Sequence, residues 1–319
     1  MHPEYKHLIH KEDDFLGRLQ DAYPRLAPVF RKLAAYVAEN YRQVAFLSSR
    51  QLAVAAGVSS ATVVRFAWEL GYAGFGAMRA AIQERLNFEL TATERLHMVR
   101  DAGQPVDLPR RIIEADIANL RLLQRELAEP RFDTFVRAVC QADRILVVGF
   151  RFLRPVAEYF AYSLNKVRPG VRAITAADST VFDELQFLTG RDLMVLIAFA
   201  RYPRDILALA RRAAERGIPV AAITDSRLSP VIPFAQCYLI AKSELLDFAG
   251  SLVAPMALVN CVVSEAGMRL GDAALARLEQ FEEAAEACRT YVSPDGSSAD
   301  RRSRDFLEAR LRGGDLRDH

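Results

Sequence analysis

The sequence predicts an all-α helix-turn-helix domain followed by an α/β doubly wound domain with a five-stranded parallel sheet. Three observations predict it. In residues 1–90 the apolar positions recur at helical spacing, and Gly57 and Gly71 punctuate short helices. From residue 144 onward come five short apolar runs rich in β-branched residues: 144–150, 171–176, 192–199, 220–224 and 237–241. Helical patterns separate the first four. Those runs are continuously apolar rather than alternating, which places cover on both faces of a parallel sheet.

Taken in order, residues 1–22 are polar and read as frayed. Leu26, Val29, Phe30, Leu33 and Val37 then mark a helix over 24–41. Ser48 or Ser49 caps a short helix running to Ala56, and Gly57 fits the left-handed position that ends it. Ser59 caps a second helix that runs to Leu70 and stops at Gly71. A further helix covers 75–90, and 1–90 is read as one domain. Residues 91–107 read as a linker, with Gly103 and Pro105 near its end. The α/β domain spans 108–292. It opens with an amphipathic helix at 108–128 carrying Ile112, Ile113, Ile117, Leu120, Leu123 and Leu127, followed by a shorter helix at 131–141. Helices at 252–270 and 272–290 close the fold, and 293–319, rich in Gly, Ser, Asp and Arg, reads as a flexible tail. The 108–128 helix has two open readings: a lever or dimer seam, or a helix packed on its own sheet.

The totals narrow the function. A net charge of +2 shows no global basic field, so any nucleic-acid contact must come from local placement. No apolar run approaches the roughly 20 residues of a membrane span, so no membrane partner is expected. The N-terminus is polar and acidic, unlike a secretory leader. Cys140, Cys237, Cys261 and Cys288 lie far apart without metal-ligand spacing. They read as free thiols of a cytoplasmic protein; neither a metal nor a cofactor is expected. Histidine occurs only at 2, 7, 10, 97 and 319, which weakens an enzymatic reading, since His most often does acid–base chemistry near neutral pH.

The segment 52–70 has helix–tight turn–helix proportions. Ala53 and Ala56 keep the first helix slim, and Val63, Val64, Phe66 and Leu70 form the buried stripe of the second. Ser48, Ser49, Ser59, Ser60, Thr62 and Arg65 cluster at the helix starts, where free N–H groups and the helix dipole favour a phosphate. Arg65 can reach a guanine or a phosphate. A helical hairpin without DNA contact has the same spacing. The stretch "LAVAAGVSSATVVRFAWELGYAGFGAMRAAI" resembles the N-terminal domain of RpiR/MurR-type bacterial transcriptional regulators. Ala53, Gly57, Val58, Ser59, Ala61, Thr62, Val63, Arg65, Phe66, Leu70, Gly71, Tyr72, Gly74 and Phe75 carry the match. The resemblance implies a double-stranded DNA operator as partner. It also implies that the second domain is a sugar-isomerase-type (SIS) domain, a fold that usually binds phosphosugars.

In open parallel sheets ligands sit beyond the carboxyl ends of the strands, where strand order reverses. The strand exits bring forward Gly149, Phe150 and Arg151, then Ala200, Arg201 and Tyr202, then Thr224, Asp225 and Ser226 as candidate effector-binding residues. Arg151 and Arg201 suit an anion. Typical SIS domains carry Gly-x-Gly-x-Ser after the first strand and Ser-x-Ser-Gly-x-Thr after the third. Here those loops read "GFRFL" and "AFARYP", so Ala198 and Ala200 replace hydroxyls and Arg201 replaces a glycine. Three readings stay open: a pocket rebuilt for another anion, arginines paired internally with Glu158, Asp178, Asp183 or Asp225, or phosphosugar binding through the backbone and Thr224. The expectation is a non-enzymatic, homodimeric or homotetrameric DNA-binding regulator that senses a small anionic effector, either a phosphosugar or a carboxylate. The rival is an SIS-type isomerase with an accessory helical domain.

Overall fold

The computed structural model describes residues 15–89, 91–101, 107–178, 180–243, 250–288 and 290–291. The first domain is helical: α1 (Phe15–Ala22), α2 (Pro28–Val44), α3 (Ser49–Ala56), α4 (Ser60–Glu69) and α5 (Phe75–Glu89). Its core gathers Phe15, Leu19, Leu33, Val37, Leu52, Val63, Phe66, Met78 and Ile82. Phe15 and Leu19 belong to the segment expected to fray. Their burial makes α1 a wall of the core, which its polar sequence context hid. Residues 1–14 lie outside the described residues. Gly57 has φ +64 and ψ 43, the left-handed geometry that ends α3, and Val58 N–H returns to the Ala53 carbonyl at 2.9 Å.

The stretch read as a linker contains α6 (Ala92–Asp101). Thr91 and Glu94 cap it reciprocally: Glu94 N–H donates to Thr91 Oγ1 at 3.1 Å, and Thr91 N–H donates to Glu94 Oε2 at 2.7 Å. Residues 102–106 and the tail read at 293–319 lie outside the described residues.

The second domain runs α7 (Leu108–Leu127), α8 (Pro130–Gln141), β1 (Ile145–Gly149), α9 (Arg154–Asn165), β2 (Val171–Ile174), α10 (Thr180–Gln186), β3 (Leu193–Ala198), α11 (Arg204–Glu215), β4 (Val220–Thr224), β5 (Cys237–Ile240), α12 (Val253–Leu270) and α13 (Asp272–Ala287). The strands form one parallel sheet in the order β2-β1-β3-β4-β5. Side chains alternate between its faces. Ile145, Val147, Val195 and Ile197 pack with α8, α9 and α12; Leu146, Val148, Met194 and Leu196 pack with α10 and α11. Both faces are buried, which is why the strands read as unbroken apolar runs. The helix α12 is long and apolar enough to cross a membrane by composition. Here Leu258, Val259 and Val262 pack it onto the sheet.

The 108–128 helix packs on its own domain at one end. Leu123 and Glu126 near its C-terminal end are buried against its own domain. Glu126 accepts from the Ile240 N–H at 3.3 Å and pairs with Arg131 at 3.2 Å. Toward its N-terminus Ile113 and Ile117 stay 58% and 44% exposed.

Polar clamps fix the amino-terminal edge of the sheet. Asp192, buried at the start of β3, accepts from Arg144 Nε and Nη2 at 3.0 and 2.8 Å. It also accepts from Thr189 N–H and Oγ1 at 2.7 and 2.9 Å. The Arg144 guanidinium leads these donors in holding the Asp192 carboxyl down at about 2. A depressed folded-state pKa adds stability above the unfolded value of about 3.9, and that stability drains away as pH falls toward about 2. Asp192→Ala is therefore expected to cost about 2 kcal/mol in urea unfolding at pH 7. The difference from wild type should shrink between about pH 4 and pH 2.

Gly149 closes β1 against α9. A Cβ there would lie 2.8 Å from Ala157 Cβ and 3.0 Å from the Leu153 carbonyl oxygen. Gly149→Ala is expected to lower stability by about 1–3 kcal/mol through overpacking, read from the shift in denaturation midpoint.

Candidate DNA-binding and effector sites

The α3–turn–α4 unit presents one helix start to solvent. Ser59 Oγ accepts from Thr62 N–H at 3.1 Å and lies 2.8 Å from Thr62 Oγ1. Ser59, Ser60 and Arg65 are exposed along the outer edge of α4, whereas Val63 and Phe66 face the core. Among the described residues Arg65 makes no side-chain ion pair or hydrogen bond. Thr62 is only 8% exposed, and its hydroxyl meets Ser59, so it serves the cap. Ser48 forms a capping box with Gln51: Gln51 N–H donates to Ser48 Oγ at 3.2 Å, and Ser48 N–H donates to Gln51 Oε1 at 2.8 Å. Ser49 is half-buried beside it. The sequence reading missed Lys32. Its Nζ sits 3.4 Å from where a Cβ on Gly57 would be, so α2 brings a cation to the turn. No local sequence signal joins residues 25 positions apart on different helices.

The effector candidates meet at the carboxyl edge of the sheet. β1 and β3 are neighbours, yet α9 leaves β1 on one face and α11 leaves β3 on the other. The two loops part and open a crevice. A cavity of about 1020 Å³ occupies it, lined by Phe150, Arg151, Ala200, Arg201, Tyr202 and Asp225 from the expected set. Gly149, Thr224 and Ser226 do not line it. Gly149 is closed off by Ala157 and Leu153. Thr224 Oγ1 donates to the Ala198 carbonyl at 2.6 Å, and Ser226 Oγ accepts from Leu228 N–H at 3.0 Å within its turn. Arg204, Phe152, Ser243 and Ala92 also line the cavity. Arg204 opens α11 directly after Pro203, a signal legible in the sequence. Ser243 follows β5, and Ala92 comes from α6; only the tertiary fold brings them in.

Arg151 adopts φ +58. It occupies the second glycine position of the Gly-x-Gly pattern, so the backbone keeps a glycine-type geometry beneath an arginine. That geometry costs about 1 kcal/mol for a non-glycine residue. Among the described residues Arg151, Arg201 and Arg204 form no ion pair. Two of the carboxylates considered as internal partners are engaged elsewhere: Glu158 with Arg154 at 2.8 Å, and Asp225 with Tyr202 Oη at 2.7 Å and Ala200 N–H at 3.1 Å. Asp225 keeps a small surface in the cavity but is otherwise enclosed, and desolvation pushes its carboxyl up. Burial, with Asp225 next to it, pushes the Tyr202 hydroxyl well up. Arg201 also reaches α6 electrostatically. The Glu94 carboxyl is held low first by its Thr91 hydrogen bonds and further by Arg42 and Arg201.

Comparison with known proteins agrees with these two units. The helix-turn-helix domain of the rpiR family matches residues 14–89, and the SIS domain matches residues 139–264. The HTH-type transcriptional regulator YfhH of Escherichia coli (strain K12), itself described as uncharacterized, is 30% identical over 212 residues. That match covers 66% of this chain and 74% of YfhH. The sugar isomerase domain of an RpiR transcription factor from Sphaerobacter thermophilus is 33% identical with a TM-score of 0.54, over 56% of this chain and 99% of that one. The Vibrio vulnificus NanR protein, solved in complex with ManNAc-6P, is 22% identical with a TM-score of 0.49, over 85% of this chain and 98% of that one. With a helix-turn-helix whose recognition helix is exposed and a five-stranded doubly wound sheet behind it, this chain belongs to the rpiR family of transcriptional regulators that join a DNA-binding domain to a SIS domain.

Proposed function

We propose that this regulator binds an operator through α4 and adjusts that binding to a small anion held in the cavity at the β1/β3 exits. The observation that carries the effector half is the set of three arginines, 151, 201 and 204, lining one cavity with no carboxylate partner among the described residues. Such a rim holds a phosphate or a carboxylate by charge-assisted hydrogen bonds. The DNA half rests on the α4 start, where Ser59, Ser60 and Arg65 stand exposed beside free N–H groups. Homodimerisation would pair two such helices on a roughly palindromic site. The exposed Ile113 and Ile117 of α7 suit a place in that seam.

The helix α6 supplies a physical link between the two functions. Ala92 lines the cavity, and Glu94 lies 3.7 Å from Arg42 of α2 in the DNA-binding domain. An anion that changes the field at Arg201 changes the balance of forces on α6. It alters DNA affinity to the extent that it favours one arrangement over the other. Binding rather than isomerisation fits the chemistry of the cavity. Among the described residues its lining carboxylates are Asp205 and Asp225, the latter already accepting two hydrogen bonds, and residues 98–318 contain no histidine. A cytoplasmic location accords with this role.

Arg65→Ala is expected to weaken binding to operator fragments selected by the wild-type protein by about 1–3 kcal/mol, with unfolding unchanged. Fluorescence anisotropy at fixed salt measures it; unaltered affinity would remove α4 from the interface. Arg151→Gly separates stability from binding. Glycine relieves the left-handed backbone, so the unfolding midpoint should hold or rise by the equivalent of about 1 kcal/mol. With Arg201→Ala added, thermal shifts produced by phosphosugars or small carboxylates should vanish. Shifts that persist in the double variant would place the anion site elsewhere.

A further inference from the structure

The floor of the cavity differs in chemistry from its rim. Three donors at the β3 and β4 exits are used inside the protein. Ala200 N–H and Tyr202 O–H both donate to Asp225, at 3.1 and 2.7 Å. Thr224 O–H donates to the Ala198 carbonyl at 2.6 Å. At the β5 exit, Ser243 O–H donates to the Ser251 carbonyl at 2.8 Å. The floor groups that line the cavity are Asp225, Tyr202 and Ser243, and each is left with oxygen lone pairs alone. The rim is the reverse: three guanidiniums that only donate. A group meeting the Asp225 carboxylate must therefore donate, and an anion placed there would face its charge with the Ala200 N–H and Tyr202 O–H already taken.

We infer that Asp225 is the specificity-determining residue of the cavity, excluding the anionic end of the effector from the β4 exit and accepting a hydrogen bond from a donor at its other end. The ligand class is bipolar: a phosphate or carboxylate at the arginine rim and a hydroxyl or ammonium group at the floor. This inference rests on the anion-binding reading above and adds the orientation and the second recognised group. Asp225 acts from within the hydrogen-bonded knot that ties β3 to β4. Lys242 lies near enough to offset part of its charge, so the deciding feature is that Asp225 already holds the Ala200 and Tyr202 donors.

The test uses the full-length protein and calorimetric titration with matched six-carbon probes. Hexanoate carries only the anion. Gluconate adds hydroxyls, 6-aminohexanoate adds an ammonium group, and glucose 6-phosphate exchanges the anion for phosphate. Wild type is expected to bind at least one donor-bearing probe about tenfold or more tighter than hexanoate. The ranking of gluconate against glucose 6-phosphate tells which anion the rim prefers. Asp225→Ser removes the carboxylate and frees the Ala200 and Tyr202 donors. It should abolish the preference and raise affinity for inorganic phosphate by about tenfold. Asp225→Asn, closer in size, is the control in case the serine variant unfolds, with circular dichroism reporting the fold of each.

Equal binding of hexanoate and the donor-bearing probes by wild type overturns the inference. So does a preference that survives in a folded Asp225 variant. In either case, loss of all binding in Arg151→Gly/Arg201→Ala leaves the anion site standing, so the two failures are told apart. If no probe binds wild type or the Asp225 variants, both readings fall together.

Discussion

Two neighbouring strands whose crossovers depart to opposite faces are the constraint on which the second domain's chemistry depends. β1 sends α9 to one side of the sheet and β3 sends α11 to the other. The sheet is parallel, so each crossover must carry the chain back to the amino-terminal edge before the next strand begins. Were both helices on one face, the loops would pack against each other instead of parting. The strand interior pays for this arrangement with side chains apolar on both faces, and the polar work falls to the two edges. Asp192 and Arg144 hold the amino-terminal edge. The Asp225 knot and the arginine rim occupy the carboxyl edge.

At the carboxyl edge the loops depart from the usual SIS pattern in their side chains. Arg151 has a positive φ where the pattern has glycine, and the Ala200 N–H donates to Asp225. The partner of that N–H is now the protein's own carboxylate. The cavity lining combines the Asp225 carboxylate with the guanidiniums of Arg151, Arg201 and Arg204.

The DNA-binding domain follows a more local logic. Its turn depends on Gly57 in a left-handed conformation, and its two helix starts depend on serine caps bonded three residues ahead. These are short-range contacts, so spacing alone made α3, the turn and α4 legible. Spacing could not divide the hydroxyls between capping and solvent. Ser59 and Thr62 both fit a helix start facing DNA, but the packing of α4 turns Thr62 inward. Lys32 was illegible for the opposite reason, since it reaches the turn from another helix.

By itself the sequence determined the two-unit organisation, the five strands, the helix-turn-helix and the strand exits from which the cavity residues come. Each follows from local periodicity, from glycine conformations or from capping chemistry, which act within a few residues. Tertiary structure decided which candidates face the cavity and which are spent on the fold: Gly149 against Ala157, Thr224 on Ala198, Asp225 between Ala200 and Tyr202. It also brought Ala92 and Ser243 to the site and made α1 part of a core. The physical reason is common to all of them: a hydrogen bond or a packing contact is assigned by distance in space, and these partners are brought together only once the sheet and its crossovers are in place.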